Sequence, residues 1–206
     1  MRIIILRHGK RYGSPLFETS LTPEGLQQAK ELVGQLGKNR IDDIYSSPFP
    51  RVLQTIYPFC EKYGCKVNIE NSFYEALKSD EFTYANYKHE VSELYGKYPE
   101  FKGIIEMYES KLNIANISHV ERDIDINNRV SPFIWKLIEK YKNTDKCILI
   151  ATHQTICNAI KKYFDNSVNY RDTFPQGTFE IIDVSENMQS PASIVYEHLE
   201  HNRNAP

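Results

Sequence analysis

The run Ile3-Ile4-Ile5-Leu6 is unbroken apolar, and Arg7-His8-Gly9 follow it without a gap. A strand covered on both faces of a parallel sheet is near-continuously apolar and favours β-branched residues. The pattern therefore predicts a buried strand from Met1 to Leu6. Cys147-Ile148-Leu149-Ile150-Ala151 repeats it, and again polar residues follow, Thr152-His153-Gln154. Ile41 to Tyr45 and Lys66 to Glu70 read as two further strands. Thr178 to Val184 and Ser193 to Leu199 read as two last ones, joined by a turn over Glu186 to Ala192.

Between the strands the apolar spacing switches to the helical period. Thr22-Pro23-Glu24 is a helix opening, with Thr as N-cap and Pro at the first helical position. Leu26, Ala29, Val33 and Leu36 continue it, and Gly37 can close it. Pro50 opens a second helix with Arg51 in its first turn and Val52, Ile56 and Phe59 as its buried stripe; Pro58 is expected to kink or end it. Val130, Ile134, Leu137 and Tyr141 mark a third helix. Ile156, Ile160 and Tyr163 mark a fourth, with Thr152 expected as its cap. Between residues 71 and 125 the pattern loosens, and no strand is evident. Tyr74, Tyr84, Tyr87, Tyr95, Tyr98 and Tyr108 recur there among Lys and Glu, either packing on the body or lining a cleft.

Strands alternating with helices predict an α/β fold in three layers, α/β/α. The expected sheet is six-stranded and mostly parallel, with one strand antiparallel because no helix separates the last two. The whole chain, 1–206, is expected to form a single domain with a helical cap inserted at about 71–125.

Composition adds mainly exclusions. The 206 residues are 41% hydrophobic and 25% charged, which marks a globular chain, and the net charge of −2 gives no global attraction for nucleic acid or an anionic membrane. No apolar run approaches the roughly 18 residues of a membrane span. The first apolar run is also too short for a signal peptide, so a cytoplasmic protein is expected. Cys60, Cys65, Cys147 and Cys157 form no Cys-x-x-Cys pair, so neither a disulfide framework nor a cysteine metal site is expected. Nothing in the sequence sets an oligomeric state.

The chemistry lies at the strand ends. His8 and His153 each end a strand, Arg7 adjoins His8, and Arg51 opens a helix. If these ends share one edge of the sheet, two imidazoles and two guanidiniums converge beside a helix N-terminus. Guanidinium forks match phosphate oxygens, and helix-opening N–H groups add donors, so the set predicts a phosphate or phosphoryl ligand. Lys10 and Arg11 either meet a second anionic group or are solvated. His89, His119, His198 and His201 fit no pattern and are expected at the surface. Arg129, read as opening a helix, has no assigned role.

Arg7-His8-Gly9 after an N-terminal strand resembles the signature of the histidine phosphatase superfamily, which includes the cofactor-dependent phosphoglycerate mutases. Leu21-Thr22-Pro23-Glu24-Gly25 with Gln28-Ala29 resembles that family's first helix opening. Ser46-Ser47-Pro48 with Arg51 and Gln54-Thr55 resembles its second segment. Phe73-Tyr74-Glu75 is similar to the segment carrying an acidic residue, Thr152-His153 to its second histidine, and Pro175-Gln176-Gly177-Thr178 to a late loop.

The resemblance implies that His8 is the nucleophile and forms a phosphohistidine, while Arg7, Arg51 and His153 hold the phosphoryl oxygens. Glu75 would be the general acid and then the base, and Gly9 would let the backbone pass close to the phosphate. No cofactor or metal is implied. The chain departs from the family in two places. Gln154 stands where glycine is usual after the second histidine, so its side chain either joins the phosphate site or extends the helix. The usual Gly-x-Trp-Glu-Gly segment is replaced by residues 78–82, which makes Asp80 and Glu81 rivals of Glu75. The implied activity is metal-independent hydrolysis of a small phosphorylated substrate, a phosphopeptide included. The alternatives are a phosphoglycerate mutase and a non-catalytic phospho-ligand module. The first alternative is disfavoured because residues 76–121 contain no arginine.

Overall fold

The computed structural model describes residues 1–13, 16–79 and 89–184. Its sheet contains β1 (Arg2–Arg7), β2 (Asp43–Ser46), β3 (Asn68–Ile69), β4 (Cys147–Thr152) and β5 (Phe179–Asp183). The order is β3-β2-β4-β1-β5, with five strands among the described residues. The first four run parallel, and β5 runs antiparallel to β1, as expected for one strand of the last pair. The expected strand Ser193–Leu199 lies outside the described residues.

Helices α1 (Pro23–Leu36) and α2 (Pro50–Tyr63) pack on one face of the sheet, and α4 (Asp123–Tyr141) and α5 (Gln154–Phe164) on the other; α3 is a single turn at Phe101–Ile104. Side chains alternate across a strand. Ile4 and Leu6 therefore join the core with Leu32, Leu36, Val52 and Ile56, while Ile3 and Ile5 join Ile134, Leu137, Ile156 and Ile160. Both faces are dry, which is why β1 reads as an unbroken apolar run.

Several local expectations shift. In α1 the buried positions are Gly25, Ala29, Leu32 and Leu36, and Leu26 is exposed. The cause is a backbone approach: a Cβ on Gly25 would lie 2.0 Å from the Lys10 carbonyl oxygen, so this face must turn inward. Pro58 does not end α2, which runs on to Tyr63; the proline simply withholds one N–H from the helix ladder. His153, not Thr152, is the N-cap of α5, because β4 continues through Thr152 and the Thr152 hydroxyl donates to the Phe73 carbonyl at 2.8 Å.

Arg129 does not open a helix but lies in the second turn of α4. In the described part of 71–125 the expected cap helices are short turns: 3-10 turns at Asn71–Phe73, Val91–Leu94 and Ile114–Asn116, and α3. Tyr74 and Tyr98 are buried in the core on the α2 side. Tyr108 stacks edge-on against Tyr45. Tyr84 and Tyr87 lie outside the described residues. Among the described residues no helix is long and apolar enough to cross a membrane.

Candidate active site

The register of β1 on β4 aligns Arg7 with Thr152, so His8 and His153 leave the same edge of the sheet side by side. Backbone bonds pin them there: His8 N–H donates to the Thr152 carbonyl at 3.0 Å, and Gly177 N–H donates to the His8 carbonyl at 3.0 Å. The next strand follows suit, with Ser47 N–H on the Ala151 carbonyl at 3.0 Å, and Pro50 then opens α2 with Arg51 in its first turn. The two imidazole centroids are 5.3 Å apart in a T-shaped arrangement.

Family-like residues outside this cluster hold the turn. Gly9 N–H donates to Thr55 Oγ1 at 2.9 Å, and Thr55 Oγ1 donates to the Arg51 carbonyl at 2.7 Å, tying His8's turn to the arginine helix. Gln28 Oε1 accepts from Lys10 N–H at 2.7 Å, and Gln54 Oε1 accepts from Leu21 N–H at 2.8 Å. A Cβ on Gly9 would lie 2.9 Å from the Gly25 carbonyl oxygen. The close approach that needs glycine there is thus to α1, where the resemblance had implied the phosphate.

His8 Nδ1 lies 2.8 Å from the Gly9 carbonyl. A carbonyl can only accept, so Nδ1 carries the hydrogen and Nε2 keeps its lone pair. Burial, followed by the charges of His153 and Arg51, pushes His8 well below the usual histidine range, so it is neutral at neutral pH. Burial and the nearby Arg51 and Arg7 also lower His153, to about 4 against the opposing pull of Glu75. His153 Nε2 is 2.9 Å from Ser47 Oγ. Its Nδ1 is 3.0 Å from Glu75 Oε2, though not aligned as a hydrogen bond.

Glu75 follows the turn at Asn71–Phe73 and reaches the cluster from the side. Its Oε2 is 3.4 Å from Arg51 Nη2, and its Oε1 accepts from Ala76 N–H at 3.0 Å. Burial opposes its ionisation, but His153, Arg51 and His8 prevail and hold its carboxyl well below the usual range. Glu75 therefore joins the cluster as a carboxylate. Asp80 and Glu81 lie outside the described residues.

Arg51 has no exposed side-chain surface. Burial lowers it to about 10, which leaves it charged at neutral pH. It donates to the Leu16 carbonyl at 3.0 Å and lies over the Phe49 ring at 4.4 Å. Arg7 donates to Gln154 Oε1 at 2.7 Å and to the Phe174 carbonyl. The Gln154 side chain thus turns into the site and holds an arginine. Arg7 Nε and Arg51 Nε are both buried without a hydrogen-bond partner. Orphaned buried donors call for an explanation, and an acceptor anion between the two guanidiniums supplies one.

One atom each from His8, Glu75 and His153 lie within 4.8 Å of one another, a spacing a metal ion could use. The two guanidiniums beside them repel a cation and attract an anion. Of the remaining sequence candidates, Arg11 is close enough for its charge to act on Arg7 and Arg51, lowering both beyond the effect of burial. Lys10 pairs with Glu24, and Arg11 donates to the carbonyls of Tyr12 and Gly13 at 2.7 and 2.8 Å. His89 stacks on Phe17 and meets Glu93 at 2.9 Å, and His119 is exposed. Four residues around the site had no assigned role: Ser47, Glu70, Glu121 and Arg129. The Glu70 carboxylate, 1% exposed, accepts from Ser72 N–H, Tyr108 and Ser110, anchoring the start of the Glu75 segment. A single buried acid of this kind leaves no periodic signal in a sequence.

Comparison with known proteins adds three findings. The profile of the histidine phosphatase superfamily (branch 1) matches residues 3–188. No curated protein matches the chain. Among solved structures, a putative alpha-ribazole-5'-P phosphatase from Escherichia coli K-12 superposes with TM-score 0.63 at 20% identity, covering 90% of this chain and 92% of its own. The ecdysone phosphate phosphatase from Bombix mori, in complex with tungstate, gives TM-score 0.64 at 12% identity, covering 92% and 85%. A mycobacterial glucosyl-3-phosphoglycerate phosphatase with inorganic phosphate gives 0.54 at 19%, covering 78% and 77%. At these identities the likeness is one of fold.

Proposed function

Because the chain belongs to the histidine phosphatase superfamily, we propose that it hydrolyses phosphomonoesters through a phosphohistidine on His8, without a metal ion. The observation that carries this reading is the state of His8. It is a neutral imidazole with Nδ1 committed to the Gly9 carbonyl and Nε2 free, beside two guanidiniums with unpartnered buried donors.

In the first half-reaction the phosphoryl oxygens lie between Arg7 and Arg51, with His153 N–H as a further donor. The His8 Nε2 lone pair attacks phosphorus as the P–O bond to the leaving group breaks, and the guanidiniums stabilise the charge on the equatorial oxygens. Glu75, which takes up a proton from solvent as the anionic ester binds, gives that proton to the departing oxygen. In the second half-reaction a water attacks the phosphohistidine, Glu75 takes the water's proton, and the N–P bond breaks to release orthophosphate. Gln154 serves this site by holding Arg7. The substrate is a small phosphorylated compound or a phosphopeptide. The name of one neighbour, bound to phosphate, and of another, bound to tungstate, describe proteins of the same fold that take tetrahedral anions.

The test uses p-nitrophenyl phosphate with and without a chelator, for the wild type and His8→Ala. Turnover that survives chelation and is lost in His8→Ala supports the reading, as does an acid-labile phosphoryl label on His8 after quenching. Turnover that requires added metal, or that persists in His8→Ala, overturns it.

A further inference from the structure

Glu121 and Arg129 form a side-chain pair that the reaction does not use. They are 1% and 5% exposed at the side chain, and they meet in two parallel bonds: Arg129 Nε to Glu121 Oε1 at 2.6 Å and Arg129 Nη2 to Glu121 Oε2 at 3.0 Å. Removing such a pair from water is costly, and apolar residues of similar volume often serve stability as well. The pair's other bonds suggest why it is there. Arg129 Nη1 donates to the Ser72 carbonyl at 2.7 Å and Nη2 to the Glu75 carbonyl at 3.3 Å. Glu121 Oε2 accepts from Leu77 N–H at 3.0 Å, and Glu121 N–H donates to the Leu77 carbonyl at 2.6 Å.

These contacts bracket Glu75. Ser72 lies three residues before it and Leu77 two after it, and its own carbonyl is held between them. None of the pair's bonds goes to His8, Arg7, Arg51 or His153. We propose that Glu121 and Arg129 are positioning residues for the general acid, a buried clamp that fixes the backbone of residues 72–77 and so sets where the Glu75 carboxyl can reach. The clamp hangs from the first turns of α4, a helix packed on the sheet, so the acid is held by rigid structure although it sits on an irregular segment. The inference rests on the reading of Glu75 as the proton donor.

The test separates positioning from general stability through the leaving group. An acidic leaving group such as p-nitrophenol departs with little help from a proton, whereas an alkoxide needs it. The value of kcat/KM reports only the steps through P–O cleavage, so it isolates the donor role. Arg129→Lys, Glu121→Gln and Glu75→Gln are compared on p-nitrophenyl phosphate and on an alkyl phosphate such as glycerol 2-phosphate. Thermal melts and inhibition by inorganic phosphate are measured alongside.

Glu75→Gln should lose roughly 10²–10⁴-fold on the alkyl ester, the range of a positioned acid, and far less on the aryl ester. The clamp variants should share that selectivity, losing at least about tenfold more on the alkyl ester, with phosphate inhibition held within about threefold. Glu121→Gln keeps an amide oxygen for Leu77 N–H and carries the test if Arg129→Lys does not fold. Equal losses on both esters, or a parallel loss of phosphate inhibition, overturn the clamp while Glu75→Gln still validates the acid. If Glu75→Gln itself shows no leaving-group selectivity, the acid reading fails and the clamp's role fails with it.

Discussion

Two glycines of α1 should respond to the same substitution with opposite signs. A Cβ at Gly25 would sit 2.0 Å from the Lys10 carbonyl oxygen and 2.9 Å from its carbon, whereas a Cβ at Gly34 meets nothing within 4 Å. Neither Lys10 atom is the end of a flexible side chain. The Lys10 carbonyl accepts from Thr22 N–H at 2.9 Å and from the Thr22 hydroxyl at 3.2 Å, while Lys10 N–H is held by Gln28. Gly25→Ala must therefore push two backbone segments apart. Overpacking of this kind costs about 1–3 kcal/mol, and weakening the Thr22 bonds adds about 1 kcal/mol.

A loss near 3 kcal/mol lowers Tm by roughly 6–12 °C in a chain of this size. Gly34→Ala removes unfolded-chain freedom in open space and should stabilise by about 0.5–1 kcal/mol. Urea unfolding of both variants, with equal m-values, measures the difference. The kcat/KM of Gly25→Ala should fall as well, because Lys10 leads directly into Gly9 and His8. Gly25→Ala unfolding within about 0.5 kcal/mol of wild type would refute the docking of the Arg-His-Gly turn on α1.

Four further outcomes follow from the site. His8 and His153 stay neutral in the fold below the pH at which the unfolded chain's imidazoles protonate, so the unfolded state binds more protons there; stability should decline as pH falls from about 6.5 toward 4, and a urea series across that window measures it. Glu75, with its depressed folded pKa, contributes stability that is present above the unfolded value and lost only in stronger acid, so Glu75→Gln should flatten the acid limb below about pH 4 and leave the imidazole window in place. Thr55→Val strips the acceptor from Gly9 N–H and should cost about 1–3 kcal/mol in denaturant melts, with a lower kcat/KM. Gln154→Gly releases Arg7 and should weaken inhibition by inorganic phosphate by about tenfold, the loss of one charge-assisted bond, with Tm nearly unchanged; unaltered inhibition would place Gln154 outside the phosphate site.

The chain announces its sheet because β1 and β4 are apolar on both faces, and it announces a polar cluster because Arg7-His8 and His153 stand where those strands end. Arg7, His8 and His153 were readable for that reason and Arg51 from its place in the helix opening after β2, and the register of Arg7 on Thr152 brings the two histidines to one edge. In the described part of 71–125 single turns stand where helices were expected, because the apolar residues there serve turns whose order comes from buried polar anchors, such as Glu70 beneath Tyr108 and Ser110. Arg129 was read only as opening a helix, and its meaning depends on Glu121, eight residues earlier and outside the helix. Spacing rules address neighbours on one element, and this pair joins a loop to a helix. Thr152 was misassigned as a cap because a strand that ends in Thr and a helix that begins with Thr look alike until the register is known.

In the proposed reaction, the protonation of the site fixes an order of events. His8 must be neutral to attack, and burial beside His153 and Arg51 keeps it so before any substrate arrives. Glu75 must carry a proton to help the leaving group, yet the same neighbours, His153 and the charged Arg51, keep it ionised in the free enzyme. One pocket charge therefore favours the nucleophile and opposes the acid. A phosphomonoester reverses only the second effect. Its oxygens draw the Arg51 guanidinium and the His153 N–H away from the Glu75 carboxylate, and its negative charge then stands against Glu75, so a proton on Glu75 becomes favourable once the anion is bound. His8 responds to that anion too, but its Nδ1 hydrogen is already committed to the Gly9 carbonyl and its Nε2 faces phosphorus, where bond formation competes with protonation. The acid is thus armed by the substrate itself, and a clamp on residues 72–77 matters because the newly protonated carboxyl must be in reach of the leaving oxygen without the contacts that held it before.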